Sequence, residues 1–214
     1  MKKSIIIVGM GPGLSSGVAE KFGSEGYQVG MISRNADKLQ GLKNDYQAKG
    51  IQSSYAIADV ANTDELLTAI QKLIDEFGGI DILQYNAVDY RQVFLLDETV
   101  EDLTNGFKIS VANALASSRY VLPHLKKVNG SVLITGGGAA NVPNPDMASI
   151  SLGKAGIRNL TFQLHDVFKK EGVFVGTVTI NGWIQHESET HSPKILAEEF
   201  WTLNEMRNVV EISH

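Results

Sequence analysis

A doubly wound α/β fold, with one parallel sheet covered by helices on both faces, is what this sequence predicts, on three observations. Short apolar, β-branched runs alternate with longer helical stretches from Ile5 almost to the end of the chain. A glycine-rich turn, Gly9-Met10-Gly11-Pro12-Gly13, stands directly between the first such run and the first helical stretch. No linker, low-complexity tract or internal repeat breaks the alternation, so the 214 residues suit a single domain with one sizeable core. Strands apolar throughout are buried on both faces, which calls for parallel pairing with helical crossovers. Right-handed crossovers then wind such a sheet in two directions from its centre.

The elements follow in order. Ile5–Val8 is the first strand and Leu14–Phe22 the first helix; Gln28–Ser33 is the second strand, followed by a polar-faced helix over Ala36–Lys49 that stops at Gly50. Ser53–Ala58 is the third strand. Asn62-Thr63-Asp64-Glu65-Leu66 opens the next helix, with Asn62 or Thr63 as cap and acids where the helix dipole favours them. Ile80–Leu83 is the fourth strand, and a long helix lies within Val100–Val128, bent or ended by Pro123. Ser131–Thr135, the helix Ser149–Glu171 and Val173–Ile180 complete the alternation. Residues 185–214 read as a variable segment on the substrate side, with a short helix at Ser192–Asn204 and an edge strand at Val209–Ser213.

Composition narrows the function classes. Nineteen Lys and Arg against 24 Asp and Glu leave a net charge of −5 with no basic block, so neither nucleic acid nor an anionic membrane is an expected partner. Cysteine is absent, which removes disulfides, thiolate metal sites and a thiol nucleophile. Lys2-Lys3 before Ile5–Val8 imitates a signal peptide, but the apolar run ends at the glycine turn with no small-residue cleavage pattern. A cytoplasmic protein is expected.

The glycine turn points to a dinucleotide. Glycines bring the backbone close to a pyrophosphate, and the helix behind them offers free N–H groups and partial positive charge. Gly9, Gly11, Gly13 and Leu14 are the expected phosphate contacts. No Lys-Ser/Thr pair follows the glycines, so the turn is not a P-loop. At the end of the second strand, Ser33-Arg34 stands where an acid would hold the ribose 2′-hydroxyl of NAD. Arg34 would instead attract a 2′-phosphate, so NADP(H) is expected in preference to NAD(H), which the same turn would admit.

With these residues placed, the chain resembles the short-chain dehydrogenase/reductase family, a Rossmann-fold group. Gly9-x-x-x-Gly13-x-Ser15 is similar to its Gly-x-x-x-Gly-x-Gly turn, Ser15 replacing the last glycine. Asp59-Val60 resembles the pair that meets the adenine ring, and Asn86-Ala87 is what remains of Asn-Asn-Ala-Gly. Lys154 sits where the ribose-binding Lys sits; Asn181-Gly182-Trp183-Ile184 takes the place of Pro-Gly-x-Ile, with Gly182 and Ile184 near the nicotinamide. The resemblance covers residues 1 to about 185. It implies a small-molecule substrate, a carbonyl/alcohol pair, and a homo-oligomer built on two helices of one face.

The same alignment shows what is missing. The family's catalytic Asn, Ser and Tyr correspond here to Ser110, Gly137 and Ile150. A phenol lowered by a neighbouring Lys transfers protons usefully; glycine and isoleucine cannot. Two readings therefore compete. One is an oxidoreductase with a modified proton route through Lys154 and Ser151, which lie three apart on one helix face, or through Ser149, Tyr85, Tyr90, Asn113 or water. The other is a catalytically silent NADP(H)-binding sensor or regulatory module. A methyltransferase reading fails because Ile7 and Arg34 stand where acids are required. No metal is expected: His186 and His191 are five apart in a polar loop, not four apart on a helix.

Overall fold

The computed structural model of the chain describes residues 2–214. Seven parallel strands form one sheet in the order β3-β2-β1-β4-β5-β6-β7. They are β1 (Ser4–Val8), β2 (Gln28–Ser33), β3 (Ser53–Ile57), β4 (Ile82–Tyr85), β5 (Ser131–Thr135), β6 (Phe174–Thr179) and β7 (Glu211–Ser213). Central β1 shows why a two-sided sheet forms. Ile6 and Val8 project into one apolar core, while Ile5 and Ile7 project into the other, and all four are fully buried. β1 pairs with β2 on one side, Ile5 opposite Val29, and with β4 on the other, Ile5 opposite Ile82. The strand order reverses between β1 and β4, so a crevice opens there at the carboxyl ends of the strands.

Helices α1 (Leu14–Ser24), α2 (Ala36–Ala48) and α7 (Pro193–Met206) lie on one side of the sheet. The other side carries α3 (Thr63–Phe77), α5 (Asn113–Leu125) and α6 (Ala148–Phe168), with α4 (Val100–Phe107) packed against α6. Asn62 caps α3, its side chain accepting from the N–H groups of Asp64 at 3.1 Å and Glu65 at 3.3 Å. Gly78, at φ 75°, closes the same helix in the left-handed conformation.

Two expectations are corrected and a third, the final strand, is met. β4 begins at Ile82, two residues later than expected, because Asp81 is spent on the junction. Its carboxylate accepts from the Ser4 N–H at 2.7 Å and its own N–H donates to the Ser4 carbonyl at 3.1 Å. The long helix is two helices joined by a π-helical segment, Lys108–Ala112, and it ends at Leu125 with Pro123 in its last turn. The final strand is real: β7 pairs in parallel with β6. A two-pronged bond pins it, Arg158 Nε and Nη2 of α6 donating to Glu211 Oε1 and Oε2 at 2.8 and 2.7 Å. That contact holds the Glu211 carboxyl below its ordinary range.

Candidate functional site

The turn after β1 is built by two kinds of glycine. Gly9 has φ 85°, and a Cβ there would lie 2.6 Å from the Ala87 nitrogen, so this position admits glycine alone. Gly11 and Gly13 are different. A Cβ on either would meet nothing within 4 Å, so packing does not require them. Their missing side chains leave a cradle open in front of α1, whose N-cap Gly13 provides no side-chain bond to the first helical amides. The fit to a pyrophosphate is good: free N–H groups, dipole and space coincide. Ser15, in place of a third glycine, accepts from the Gly11 N–H at 2.9 Å and so shapes the turn from inside.

Asn86 stitches the crevice together. Its Nδ2 donates to the Gly9 carbonyl at 3.0 Å, and its Oδ1 accepts from Thr135 Oγ1 at 2.9 Å. Its backbone N–H donates to the Val8 carbonyl at 2.8 Å. One side chain thereby links the ends of β1, β4 and β5, and both ends of its amide are used within the protein. Ala87 packs beside it, partly buried against the core. Leu14 and Val60 are core side chains, 5% and 9% exposed, so any ligand contact they make comes from their backbone. Asp59 is half-buried and accepts from the Ala61 N–H at 2.9 Å. Ser33 closes β2, and Arg34 is exposed with no side-chain partner among the described residues. Gly182 and Ile184 lie in an exposed stretch after β6. A Cβ on Gly182 would come 2.5 Å from His191 Nε2.

Lys154 is the chemically distinctive group. Its Nζ donates to the Thr135 carbonyl at 2.8 Å and finds no carboxylate among the described residues. Desolvation lowers its pKa to about 8. Gly137 lies alongside, its Cβ position 3.3 Å from the Lys154 stem. Ile150, one helical turn earlier, is 6% exposed.

Of the other proton-route candidates, Ser151, Asn113 and Tyr85 are occupied by the fold and Tyr90 is not. Ser151 accepts from the Asn144 N–H at 3.0 Å and lies 3.2 Å from its carbonyl, bracing the segment before α6. Asn113 donates to the Val60 carbonyl and accepts from Thr63 Oγ1 at 2.9 Å. Tyr85 is fully buried, its hydroxyl bonded to the Ile109 carbonyl, and desolvation pushes its pKa far up. Tyr90 is 60% exposed.

One cluster escaped sequence reasoning. Ser149 Oγ donates to Asp89 Oδ2 at 2.6 Å, and Ser110 Oγ accepts from the Asp89 N–H at 3.1 Å. Arg91 Nε and Nη2 both reach the same Asp89 oxygen at 2.8 Å, and Nη1 reaches Glu98 Oε2 at 3.0 Å. Gly106 makes room for the cluster: a Cβ there would lie 2.2 Å from Ser149 Oγ and 2.5 Å from Asp89 Oδ2. An acid and a base two residues apart after Asn86-Ala87 were visible as a signal, but their convergence with Ser149, 60 residues on, was not.

Against known proteins, the model of the short chain dehydrogenase family matches residues 3–187. The chain belongs to that family. Its curated relatives include the 3-oxoacyl-[acyl-carrier-protein] reductase FabG of Staphylococcus aureus, 24% identical over 180 residues, covering 83% of this chain and 73% of the relative. The oxidoreductase YvrD of Bacillus subtilis is 29% identical over 178 residues, covering 83% and 67%. Among solved structures, a short chain dehydrogenase from Burkholderia cenocepacia in complex with NADP superposes with a TM-score of 0.89 at 21% identity, over 99% of this chain and 95% of that one. The fold is thus the one shared by short-chain dehydrogenases. No helix among the described residues is long and apolar enough to cross a membrane.

Proposed function

We propose that this short-chain dehydrogenase is an NADP(H)-dependent oxidoreductase for a small carbonyl/alcohol pair in which Lys154 itself handles the proton. The observation that carries the reading is the Lys154 ammonium, lowered to about 8 by desolvation, held by one neutral carbonyl and flanked by Gly137 and Ile150. A group titrating near the working pH is efficient as both acid and base. With Gly137 and Ile150 standing where a serine and a phenol would be expected, Lys154 would do that work.

The cofactor would supply or accept the hydride. Support for it comes from the open cradle at Gly11 and Gly13, the uncapped α1 and the Arg34 guanidinium, which has no partner among the described residues and would take a 2′-phosphate. A related fold binding NADP adds to this support. Asp59 would face the adenine, Asn86 would keep Gly9 in place, and the backbone at Gly182 and Ile184 would border the nicotinamide. In carbonyl reduction, Lys154 Nζ–H would pass its proton to the oxygen that becomes the alcohol; in oxidation the neutral amine would take it back. Ser151, the other candidate, is assigned to bracing Asn144 instead.

A specific observation favours a second reading. Ser110 and Ser151 make bonds within the protein and Ile150 is buried, which is what a silent NADP(H) sensor would look like. Titration of the protein with NADPH and NADH, then a carbonyl and alcohol panel followed at the nicotinamide absorbance, decides between them. Turnover abolished by Lys154→Met supports the enzyme; tight binding with no turnover across the panel supports the sensor. As for assembly, Phe107, Leu115, Leu152 and Phe162 are exposed on α4, α5 and α6. Burying such surface between copies supports a homo-oligomer, which light scattering would test.

A further inference from the structure

Three loops rise from the carboxyl edge of the sheet on which Lys154 is held, and backbone bonds join them as a rim. Residues 86–99 follow β4, residues 136–147 follow β5 and residues 180–192 follow β6. The first two meet where the Ala148 N–H, at the start of α6, donates to the Val93 carbonyl at 3.4 Å. The second and third meet where the Gly138 N–H donates to the Ile180 carbonyl at 2.8 Å. All three expose large apolar groups: Tyr90 at 60%, Phe94 at 42%, Val142 at 78%, Trp183 at 63% and Ile184 at 39%.

Their charge is as informative as their hydrophobicity. These loops hold six acids, Asp89, Asp97, Glu98, Asp146, Glu187 and Glu189, and Arg91 is their one Lys or Arg. Arg91 is committed: it bonds Asp89 and Glu98, and its Nη2 donates to the Asp102 carbonyl at 3.1 Å. No Lys or Arg of the rim is left to receive an anionic substrate, its two histidines, His186 and His191, share their loop with Glu187 and Glu189, and the surplus carboxylates would repel such a substrate. Arg34 lies at the end of β2, away from these loops, and Lys154 is assigned to the reacting oxygen rather than to a charged group elsewhere on the substrate.

On the reading of the chain as an oxidoreductase, we infer that its substrate is an uncharged carbonyl or alcohol compound carrying a sizeable apolar group. The rim buries that group against Trp183, Ile184, Tyr90 and Phe94, while compounds bearing a carboxylate or phosphate are excluded. Burial of apolar area drives the binding, and the net negative field of the rim gives it selectivity.

The test uses matched pairs: an aryl or alkyl ketone carrying a terminal amide and the same ketone carrying a carboxylate, reduced with NADPH. The amide member is expected to show a kcat/KM at least tenfold higher. Trp183→Ala should raise its KM at least fivefold. Equal or better use of the carboxylate member, or an unchanged KM in Trp183→Ala, overturns the inference. A second readout does not need turnover. In Trp201→Phe protein loaded with NADPH, Trp183 fluorescence should respond to the amide compound at concentrations at least tenfold below those of the carboxylate. No response, or an equal one, overturns the inference as well. A selective fluorescence response with no reduction of any compound would instead defeat the oxidoreductase reading and leave the apolar, charge-excluding rim standing.

Discussion

The two sides of the crevice treat their expected site residues in opposite ways. On the cofactor side, around β1 and β2, the space is left open: Gly11 and Gly13 have no neighbour that a Cβ would touch, α1 is uncapped and Arg34 is unpaired among the described residues. On the substrate side, the places of the expected acid–base groups have been drawn into the protein's own bonding. Ser110 bonds Asp89, Ser151 bonds Asn144, and Ile150 is buried. The difference has a physical basis. Phosphate binding is done by backbone N–H groups and a helix dipole, which survive side-chain change provided the turn keeps its shape. Proton transfer is done by one atom of one side chain, so a single substitution moves or removes it.

Breaking the comparison starts with the largest effect. Gly9→Val should cost about 3 kcal/mol or more, since it combines a positive φ with a backbone collision at Ala87; urea denaturation would measure it. Gly11→Ala and Gly13→Ala should change stability by less than about 1 kcal/mol while weakening NADPH binding markedly. If all three behave alike, the open cradle is not a ligand site.

Lys154→Met should lower turnover by about 100-fold or more if the proton passes through this amine. It also carries a pH signature. The folded pKa of about 8 lies below the unfolded value of 10.5, so between them the unfolded chain holds a proton that the fold has released. Stability of the cofactor-free protein should therefore rise across that window and flatten above it, and Lys154→Met should abolish the rise in thermal melts at pH 7.5 to 10.5.

Arg34→Asp should weaken NADPH binding by about tenfold or more and leave NADH nearly unaffected in calorimetry. Equal loss for both would remove the 2′-phosphate role. Smallest of all, Ser149→Ala should cost about 1 kcal/mol, because Asp89 keeps both of its bonds from Arg91. That variant sharpens the contrast: a small stability loss with turnover intact would make the Asp89 cluster a tie between the loop after β4 and α6 and nothing more.

How much of this was legible in advance varies by region for the same reason. The glycine turn is a local pattern, a few residues between a strand and a helix, and it lies between β1 and α1 as its sequence position requires. The strand β4 was misplaced by two residues because Asp81 looks like part of an apolar run until Ser4, 77 residues away, takes up its polar groups. The π-helical segment Lys108–Ala112 carries no periodicity of its own and was read as continuous helix. Ser151 was expected to share in chemistry on helix spacing alone, and only the position of Asn144 shows what occupies its hydroxyl.

The order of apolar runs and the glycines between them were enough, by themselves, to determine a parallel two-faced sheet with a glycine turn between its first strand and first helix. Those properties depend on local backbone geometry and on which residues can be buried. Tertiary structure alone decided the state of Lys154, the fate of the serines, the Asp89–Arg91–Glu98 cluster and the apolar rim. Each of these depends on the solvent exclusion and charges contributed by chain segments distant in sequence, which no spacing along the chain encodes.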